Sequence, residues 1–315
     1  MDVRAVRVSD RVAAIDCGTN SIRLLIADAA ADGTLVDVVR DMRIVRLGRG
    51  VDRTGRLAAE SIGRTRLALV DYAELVERHA ASVVRMVATS ATRDAANRDD
   101  FTTMVHAVLG VEPEVITGAE EAALSFAGAV AGLPNGRSPV LVADIGGGST
   151  ELVLGAPGGQ LRSHSMDVGC VRMTERHLHD DPPTPAQIAA MVIDVRGAIV
   201  DASRDVPVRE AATFIGVAGT VTTMAALAHG LVEYDADVIH GLAMTADQVH
   251  DVTRRLLAMT HAQRAALPVM HPGRVDVIGG GAAILRELVD AVGVPEVVAS
   301  EHDILDGIAL RLLHG

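Results

Sequence analysis

An α/β fold made of two similar domains facing one another is what this sequence predicts, and three observations carry that prediction. Residues 12–28, VAAIDCGTNSIRLLIAD, are echoed by residues 140–154, VLVADIGGGSTELVL. Strand-like and helix-like segments alternate along both halves. A length of 315 residues with 49% apolar content is enough to bury a core in each half.

Each echo is an apolar run ending in Asp-x-Gly, then small hydroxyl or amide residues, then a second apolar run. A turn signal follows, Ala31-Asp32-Gly33 in one copy and Pro157-Gly158-Gly159 in the other, and then another strand-like segment. The pattern predicts a strand–tight turn–strand hairpin used twice, about 128 residues apart. Between the echoes, residues 57–80 carry helical periodicity, residues 83–92 read as a buried strand, and residues 100–110 as a helix closed by Gly110. Val111 to Ile116 predicts a short strand, and Ala119 to Leu133 a helix of small residues. The turn cluster LPNGRSP divides the chain into domains 1–133 and 134–315. Beyond it, Thr184-Pro185 predicts a helix start, and Thr245 with Gln248 and Thr260 with Gln263 fit capping boxes. Ala211 to Gly219 reads as a strand running into a turn, and Asp276 to Gly281 as the lead into a helix, AAILRELVDAV.

Composition removes several function classes. Aromatic residues are 2% with no Trp, and 29 basic residues face 41 acidic ones, a poor match for a protein that coats nucleic acid. No apolar run approaches a membrane span, and the N-terminal stretch MDVRAVRVSDR lacks the apolar core of a signal peptide. Two cysteines, Cys17 and Cys170, predict a reducing, cytoplasmic setting, and the charge, aromatic content and apolar runs predict neither nucleic acid nor membrane as partner. The sequence contains no lysine at all, which excludes a Walker A loop and a Schiff-base enzyme. Any phosphate is therefore met by Arg, hydroxyls, backbone amides or metal.

Glycines at a strand-to-strand turn let backbone N–H groups converge without Cβ obstruction, and they tolerate positive φ. Such a nest binds phosphate oxygens, with Ser149 and Thr150, or Thr19, Asn20 and Ser21, adding donors. Asp16 and Asp144, at the strand ends, repel phosphate directly but can hold a divalent cation or a water. One such loop alone is a common hairpin turn. Two facing copies predict a clamp on a phosphate chain.

These features resemble the acetate kinase/sugar kinase/Hsp70/actin superfamily. More narrowly, the chain from about residue 12 to 312 resembles the exopolyphosphatase/guanosine-pentaphosphatase family. IDCGTNSIRLLI, ATSATRDAANRDDF (88–101), ITGAEEAALSFAGA (116–129), DIGGGSTEL, DVGCVRMTE (167–175) and GVAGTVTTMAAL (216–227) carry that resemblance. It implies two ribonuclease-H-like (actin-like ATPase) domains across a cleft, in the short form that lacks an added C-terminal helical region. It also implies release of terminal phosphate from inorganic polyphosphate, or hydrolysis of guanosine pentaphosphate, with Mg²⁺ or another divalent cation. A homodimer is a further implication. The resemblance places the acid/base at Glu121. The residues alone leave Glu120 and Glu121 open, since adjacent helical positions point about 100° apart. It further implies catalytic roles for Asp144 and Glu151 beside the metal, with Asp16 as a third metal ligand. Phosphate is assigned to Gly18, Thr19, Asn20, Ser21, Arg93, Gly146, Gly147, Gly148 and Ser149.

Other readings stay open at this point. Six arginines between Arg40 and Arg56 are either a charge-protected edge or a track for a long polyanion, and Arg172 to His179 competes for that second role. A kinase or ATPase needs an adenine pocket, for which VIGGGAAIL (277–285) is a candidate that equally suits close helix packing. A non-catalytic nucleotide or polyphosphate sensor is the remaining class. Where many family members read Leu-Arg-Glu-Gly, this chain has Ile304-Leu305-Asp306-Gly307, a departure that changes what lies beside the phosphate chain.

Overall fold

The computed structural model describes residues 11–31, 33–133 and 137–314. Residues 1–10, Asp32 of the first turn signal and residues 134–136 of the boundary turn lie outside the described residues. The first half runs β1 (Val12–Cys17), β2 (Ser21–Ala29), β3 (Leu35–Ile44), α1 (Val51–Thr54), α2 (Ala59–Arg78), β4 (Val83–Ala88) and α3 (Ser90–Arg93). It continues with α4 (Arg98–Leu109), β5 (Glu114–Val115) and α5 (Gly118–Gly132). The second half has β6 (Val140–Ile145), β7 (Thr150–Gly155), β8 (Arg162–Met166), α6 (Cys170–His177), α7 (Pro185–Ala202), β9 (Thr213–Val217) and α8 (Ala218–Ala228). It closes with α9 (Ala236–Ile239), β10 (Ala243–Thr245), α10 (Ala246–Ala258), α11 (His261–Ala265), α12 (Ile278–Val292), β11 (Glu296–Ser300) and α13 (Ile304–His314).

Two sheets result, ordered β3-β2-β1-β4-β5 and β10-β11-β9-β6-β7-β8. Leaving β10 aside, the orders match: an antiparallel three-strand meander followed by two strands parallel to its last member. This is the ribonuclease-H-like arrangement, present twice. Register repeats too, for Asp16 lies opposite Arg23 across the first hairpin and Asp144 opposite Glu151 across the second. All six residues of β1 and of β6 are buried, because helices cover both faces of each sheet; hence the continuous apolar runs rather than alternation.

α5 lies between the sheets. Its Leu124 joins the core under β1, while Ala122, Phe126 and Ala129 pack against Val140, Val142 and Val153 of the second sheet. The chain's last helix, α13, crosses the residue-133 division and lays Ile304, Leu305 and Ile308 on the first sheet. α5 and α13 meet at glycines. A Cβ on Gly128 would sit 1.9 Å from the Asp303 carbonyl oxygen, and one on Gly307 2.0 Å from that of Leu124.

Three elements differ from expectation. Residues 83–92 do not remain a strand: after Ala88 the Thr89 carbonyl accepts from the amides of Thr92 and Arg93, and Ser90–Arg93 form one helical turn. The turn expected near Gly219 is instead the start of α8, with Ala218 at φ 69°. Gly279 to Gly281 lie inside α12 rather than before it. A Cβ on Gly281 would be 2.3 Å from Thr220 Oγ1, and one on Gly280 2.8 Å from the Cys170 carbonyl. The triple glycine therefore serves close packing of α12 on α8 and α6, and helix packing overrides glycine's poor propensity there. The three capping starts at Thr184, Thr245 and Thr260 are formed. Among the described residues no helix is long and apolar enough to cross a membrane.

The α5–α13 crossing yields a direct check. Gly128→Val should destabilise by about 1–3 kcal/mol or more through forced separation of the helices. Gly63→Ala, in α2 with nothing within 4 Å of the added Cβ, should stabilise by roughly 0.5–1 kcal/mol. Thermal unfolding of the two variants reads both signs.

Candidate active site

The two hairpin turns are built alike. Gly18 N–H donates to the Ser21 carbonyl and Gly146 N–H to the Ser149 carbonyl, both at 3.0 Å. Their tips touch across the interface between the halves. A Cβ on Gly147 would lie 2.8 Å from Thr19 Cβ, and one on Gly148 2.6 Å from Ser90 Oγ. None of the three glycines Gly146–Gly148 has positive φ, so at Gly147 and Gly148 close approach of Thr19 and Ser90, not backbone freedom, is what requires them. Thr19 and Ser90 hydroxyls share a buried hydrogen bond of 3.0 Å at this seam.

Beside the tips opens a narrow cleft, lined among others by Asp16, Gly18, Thr19, Asn20, Ser21, Glu121, Asp144, Gly146, Gly147 and Ser149. Ten of the thirteen expected site residues therefore share one cavity. The others stand behind it. Gly148 faces Ser90, as described. Glu151 is 1% exposed, with Oε1 accepting from Ser165 Oγ at 2.7 Å. Arg93 donates through Nη1 to Glu121 Oε2 at 3.1 Å and to the Ile116 carbonyl at 3.0 Å.

Position within α5 decides between the adjacent glutamates. Thr117 caps the helix by accepting from Glu120 N–H. Glu120 then points outward to Arg85, 2.9 Å away, while Glu121 is buried and turned to the cleft. One turn further on, Ser125 Oγ donates to Asp144 Oδ2 at 2.5 Å. α5 thus carries the general-base candidate and a support for the second loop's aspartate.

Electrostatics mark this as an unusual place. Burial raises the Glu121 carboxyl well above its ordinary range, with neighbouring Glu151 adding to the effect and Arg93 opposing it. Burial, then Asp144, pushes Glu151 up to about 7. Burial, then Asp303, pushes Asp144 up to about 6. Asp16 is also raised by burial, against the pull of Arg23.

Several contributors were not expected from the sequence. Arg23 places Nε and Nη2 on Asp16 Oδ2, at 3.1 and 2.6 Å, and Nη1 on Asp303 Oδ2. Its signal was present: it stands seven residues after Asp16, as Glu151 stands seven after Asp144. Arg274 lines the cleft, donates to Thr223 Oγ1 at 2.9 Å, and has no carboxylate at salt-bridge distance among the described residues. Asp303 gave no local signal, because its role depends on α13 returning to the first sheet. Asp306, at the departure from the family pattern, accepts from Asp303 N–H and pairs with Arg40.

Of the six arginines read either as a charge-protected edge or as a track, three are neutralised by ion pairs. Arg40 pairs with Asp37 and Asp306, Arg43 with Asp41 and Asp71, and Arg46 with Asp276. Arg172 and Arg176 are likewise held by Asp52, Asp94 and Asp194. His177 pairs with Asp194 rather than joining a metal cluster.

A hard divalent cation fits the donor set. Asp16 Oδ1 and Glu151 Oε2 are buried carboxylate oxygens without a hydrogen-bond partner. No three His, Cys, Asp or Glu side chains among the described residues are gathered closely enough to hold an ion alone. That suits Mg²⁺, which keeps waters and takes one or two carboxylates plus substrate phosphate.

Two facing ribonuclease-H-like domains with phosphate-type loops and a carboxylate-rich cleft define a protein of the actin-like ATPase fold. The chain belongs to the Ppx/GppA phosphatase family, whose pattern matches residues 25–315. It is 55% identical over 314 residues to exopolyphosphatase 2 of Mycobacterium tuberculosis, covering 96% of this chain and 98% of that one. The crystal structure of the Aquifex aeolicus Ppx/GppA member superposes with a TM-score of 0.81 at 30% identity, over 96% of this chain and 97% of that one. The guanosine-5'-triphosphate,3'-diphosphate pyrophosphatase of Aeromonas salmonicida is 29% identical over 96% of this chain and 59% of its own length.

The raised carboxyl of Glu151 makes a stability prediction with a definite sign. A carboxyl whose folded pKa is raised contributes most to stability when protonated, and that contribution is lost as pH rises towards and through about 7. In metal-free buffer, Glu151→Gln should therefore raise the unfolding temperature more at pH 8 than at pH 5. An equal gain at both pH values would contradict the assignment.

Proposed function

We propose that this chain is an exopolyphosphatase that hydrolyses the terminal phosphoanhydride of inorganic polyphosphate. The observation that carries the reading is the convergence of both phosphate-type loops, Glu121 and Asp144 on one cleft. Its close similarity to an exopolyphosphatase supports the same substrate class.

The reaction needs water to attack the end phosphorus while the bridging P–O bond breaks, giving orthophosphate and a chain one unit shorter. Positioning and charge stabilisation carry most of such a step. Glu121 is placed to accept the water's proton, with one oxygen fixed by Arg93. Loop amides and the Thr19, Ser21 and Ser149 hydroxyls bind the terminal phosphates, and Arg23 and Arg274 supply positive charge at the cleft wall. One or two of Asp16, Asp144 and Glu151 would hold the divalent cation together with substrate phosphate. When bound, it would offset charge on the phosphate chain. A cysteine nucleophile is unsuited, since burial holds the Cys17 thiol well above its usual range and pushes Cys170 up to about 11. Both cysteines are buried and unpaired, which agrees with a reducing cytoplasm.

One observation favours a second substrate, guanosine pentaphosphate. A neighbouring, roomier cavity shares Arg23, Met42, Gly219 and Arg274 with the cleft and is lined by Tyr234, Val269, Met270 and Leu305. Glu301 lies there too, accepting from Tyr234 Oη. An apolar wall with the Tyr234 and His271 rings, and with the carboxylates of Asp41, Glu301 and Asp303 close by, suits a nucleoside better than further phosphates.

Phosphate release from short and long polyphosphate, guanosine pentaphosphate and ATP, with Mg²⁺ or EDTA, tests both. Metal-dependent release from polyphosphate is expected, and Glu121→Gln should lower it roughly 10²–10⁴-fold. Release from the guanosine nucleotide alone would select the second reading, and release from none would remove hydrolysis altogether.

A further inference from the structure

The motif DVGCVRMTE has no part in the chemistry above, yet it forms the back of the second phosphate loop. Three loop carbonyls point at the start of α6. Gly146 O accepts from Cys170 N–H at 2.9 Å, and Gly147 O from the N–H groups of Val171 and Arg172 at 2.8 and 3.1 Å. Gly148 O accepts from Arg172 Nε at 2.7 Å. In a trans peptide the N–H of the next residue points opposite to the carbonyl. The amides of Gly147, Gly148 and Ser149 are thereby turned away from α6.

The remaining donors of Arg172 reach into the first half. Nη1 donates to Asp52 Oδ1 at 2.8 Å and Nη2 to Asp94 Oδ2 at 2.5 Å. Asp94 ends the helical turn α3 that begins with Ser90, the partner of Thr19 in the first loop. Glu175, on the next turn of α6, accepts from Gly50 N–H just before α1. A single guanidinium, 13% exposed, thus connects the back of one loop to the support of the other.

We propose that Arg172 is a positioning residue that fixes the second phosphate loop, with its amides presented, at a set distance from the first. This rests on the reading of the cleft as a phosphate-chain site. A planar fork with five donors is needed for three acceptors in different directions, so Lys is no substitute.

The test uses the full chain carrying Glu121→Gln, expected to slow turnover during the titration, and Mg²⁺-loaded tripolyphosphate followed by calorimetry. Adding Arg172→Ala should weaken binding roughly tenfold or more, as expected for loss of charge-assisted hydrogen bonds. Arg172→Lys should recover little, whereas millimolar guanidinium should restore part of the affinity to Arg172→Ala. Asp94→Asn should weaken binding less, and add nothing once Arg172 is gone. In the otherwise native chain, KM should rise while kcat changes little. Affinity within twofold of the parent would overturn the proposal. If Arg172→Ala fails to fold, Asp94→Asn and Asp52→Asn, which keep the bond to Gly148, carry the same test, and unchanged affinity in both overturns it. Binding without phosphate release from the native chain would remove the hydrolase reading while leaving this role measurable, and absence of binding would sink both.

Discussion

Buried negative charge at the seam between the two sheets is the constraint on which the rest depends. Asp16, Glu121, Asp144, Glu151 and Asp303 are all at most 7% exposed, and Arg23 and Arg93 pair with only part of that set. Isolated charges of this kind are costly to bury, and the carboxyls of Asp16, Glu121, Asp144 and Glu151 respond by holding their protons to higher pH. The fold tolerates them because Ser125, Ser165, Arg23 and Arg93 supply hydrogen bonds, leaving Asp16 Oδ1 and Glu151 Oε2 without a partner. Such an arrangement makes sense in a site completed by a cation and a phosphate chain, where ligand charge replaces the protons.

Close packing brings the carboxylates together. Gly128 and Gly307 let α5 and α13 cross with carbonyl oxygens where side chains would otherwise be, and this places Asp303 at the start of α13 beside Arg23. α5 touches both sheets and so carries Glu121 and Ser125 to Asp144. On the opposite flank, Arg172, Arg176 and Glu175 tie α6 to Asp52, Asp94 and Gly50. The cleft is held from two sides by different means: glycine-permitted contact on one, and ion pairs on the other. The ion-paired flank is the one more sensitive to salt.

Much of this was legible in the sequence where spacing is local. The two hairpins showed themselves because each repeats Asp-x-Gly between apolar runs, and the register pairs Asp16 and Asp144 with residues seven positions on. Applying that same spacing would have found Arg23. Helix starts at Thr184, Thr245 and Thr260 were legible from capping chemistry alone. What escaped was set by tertiary contact. The glycines of α12 looked like a loop because propensity disfavours helix there, while contact with Thr220 and Cys170 decided otherwise. Whether the arginines between Arg40 and Arg56 form an edge or a track stayed open because acidic partners of Arg40, Arg43 and Arg46, namely Asp306, Asp71 and Asp276, lie far away in sequence. The residues alone left Glu120 and Glu121 open, the family resemblance chose Glu121, and in the structure Arg85 holds Glu120.

Proton counting on ligand binding is the most direct measurement. Calorimetry of the Glu121→Gln variant with preformed magnesium–tripolyphosphate, in buffers of differing ionisation enthalpy, gives the number of protons exchanged. It is best done near pH 6.5, between the values of about 6 for Asp144 and about 7 for Glu151. If the ligand's cation replaces protons on these carboxyls, binding releases protons, and less so once Glu151→Gln is added. Binding that releases none, or takes protons up, would contradict a carboxylate cluster built to be completed by a cation and a phosphate chain.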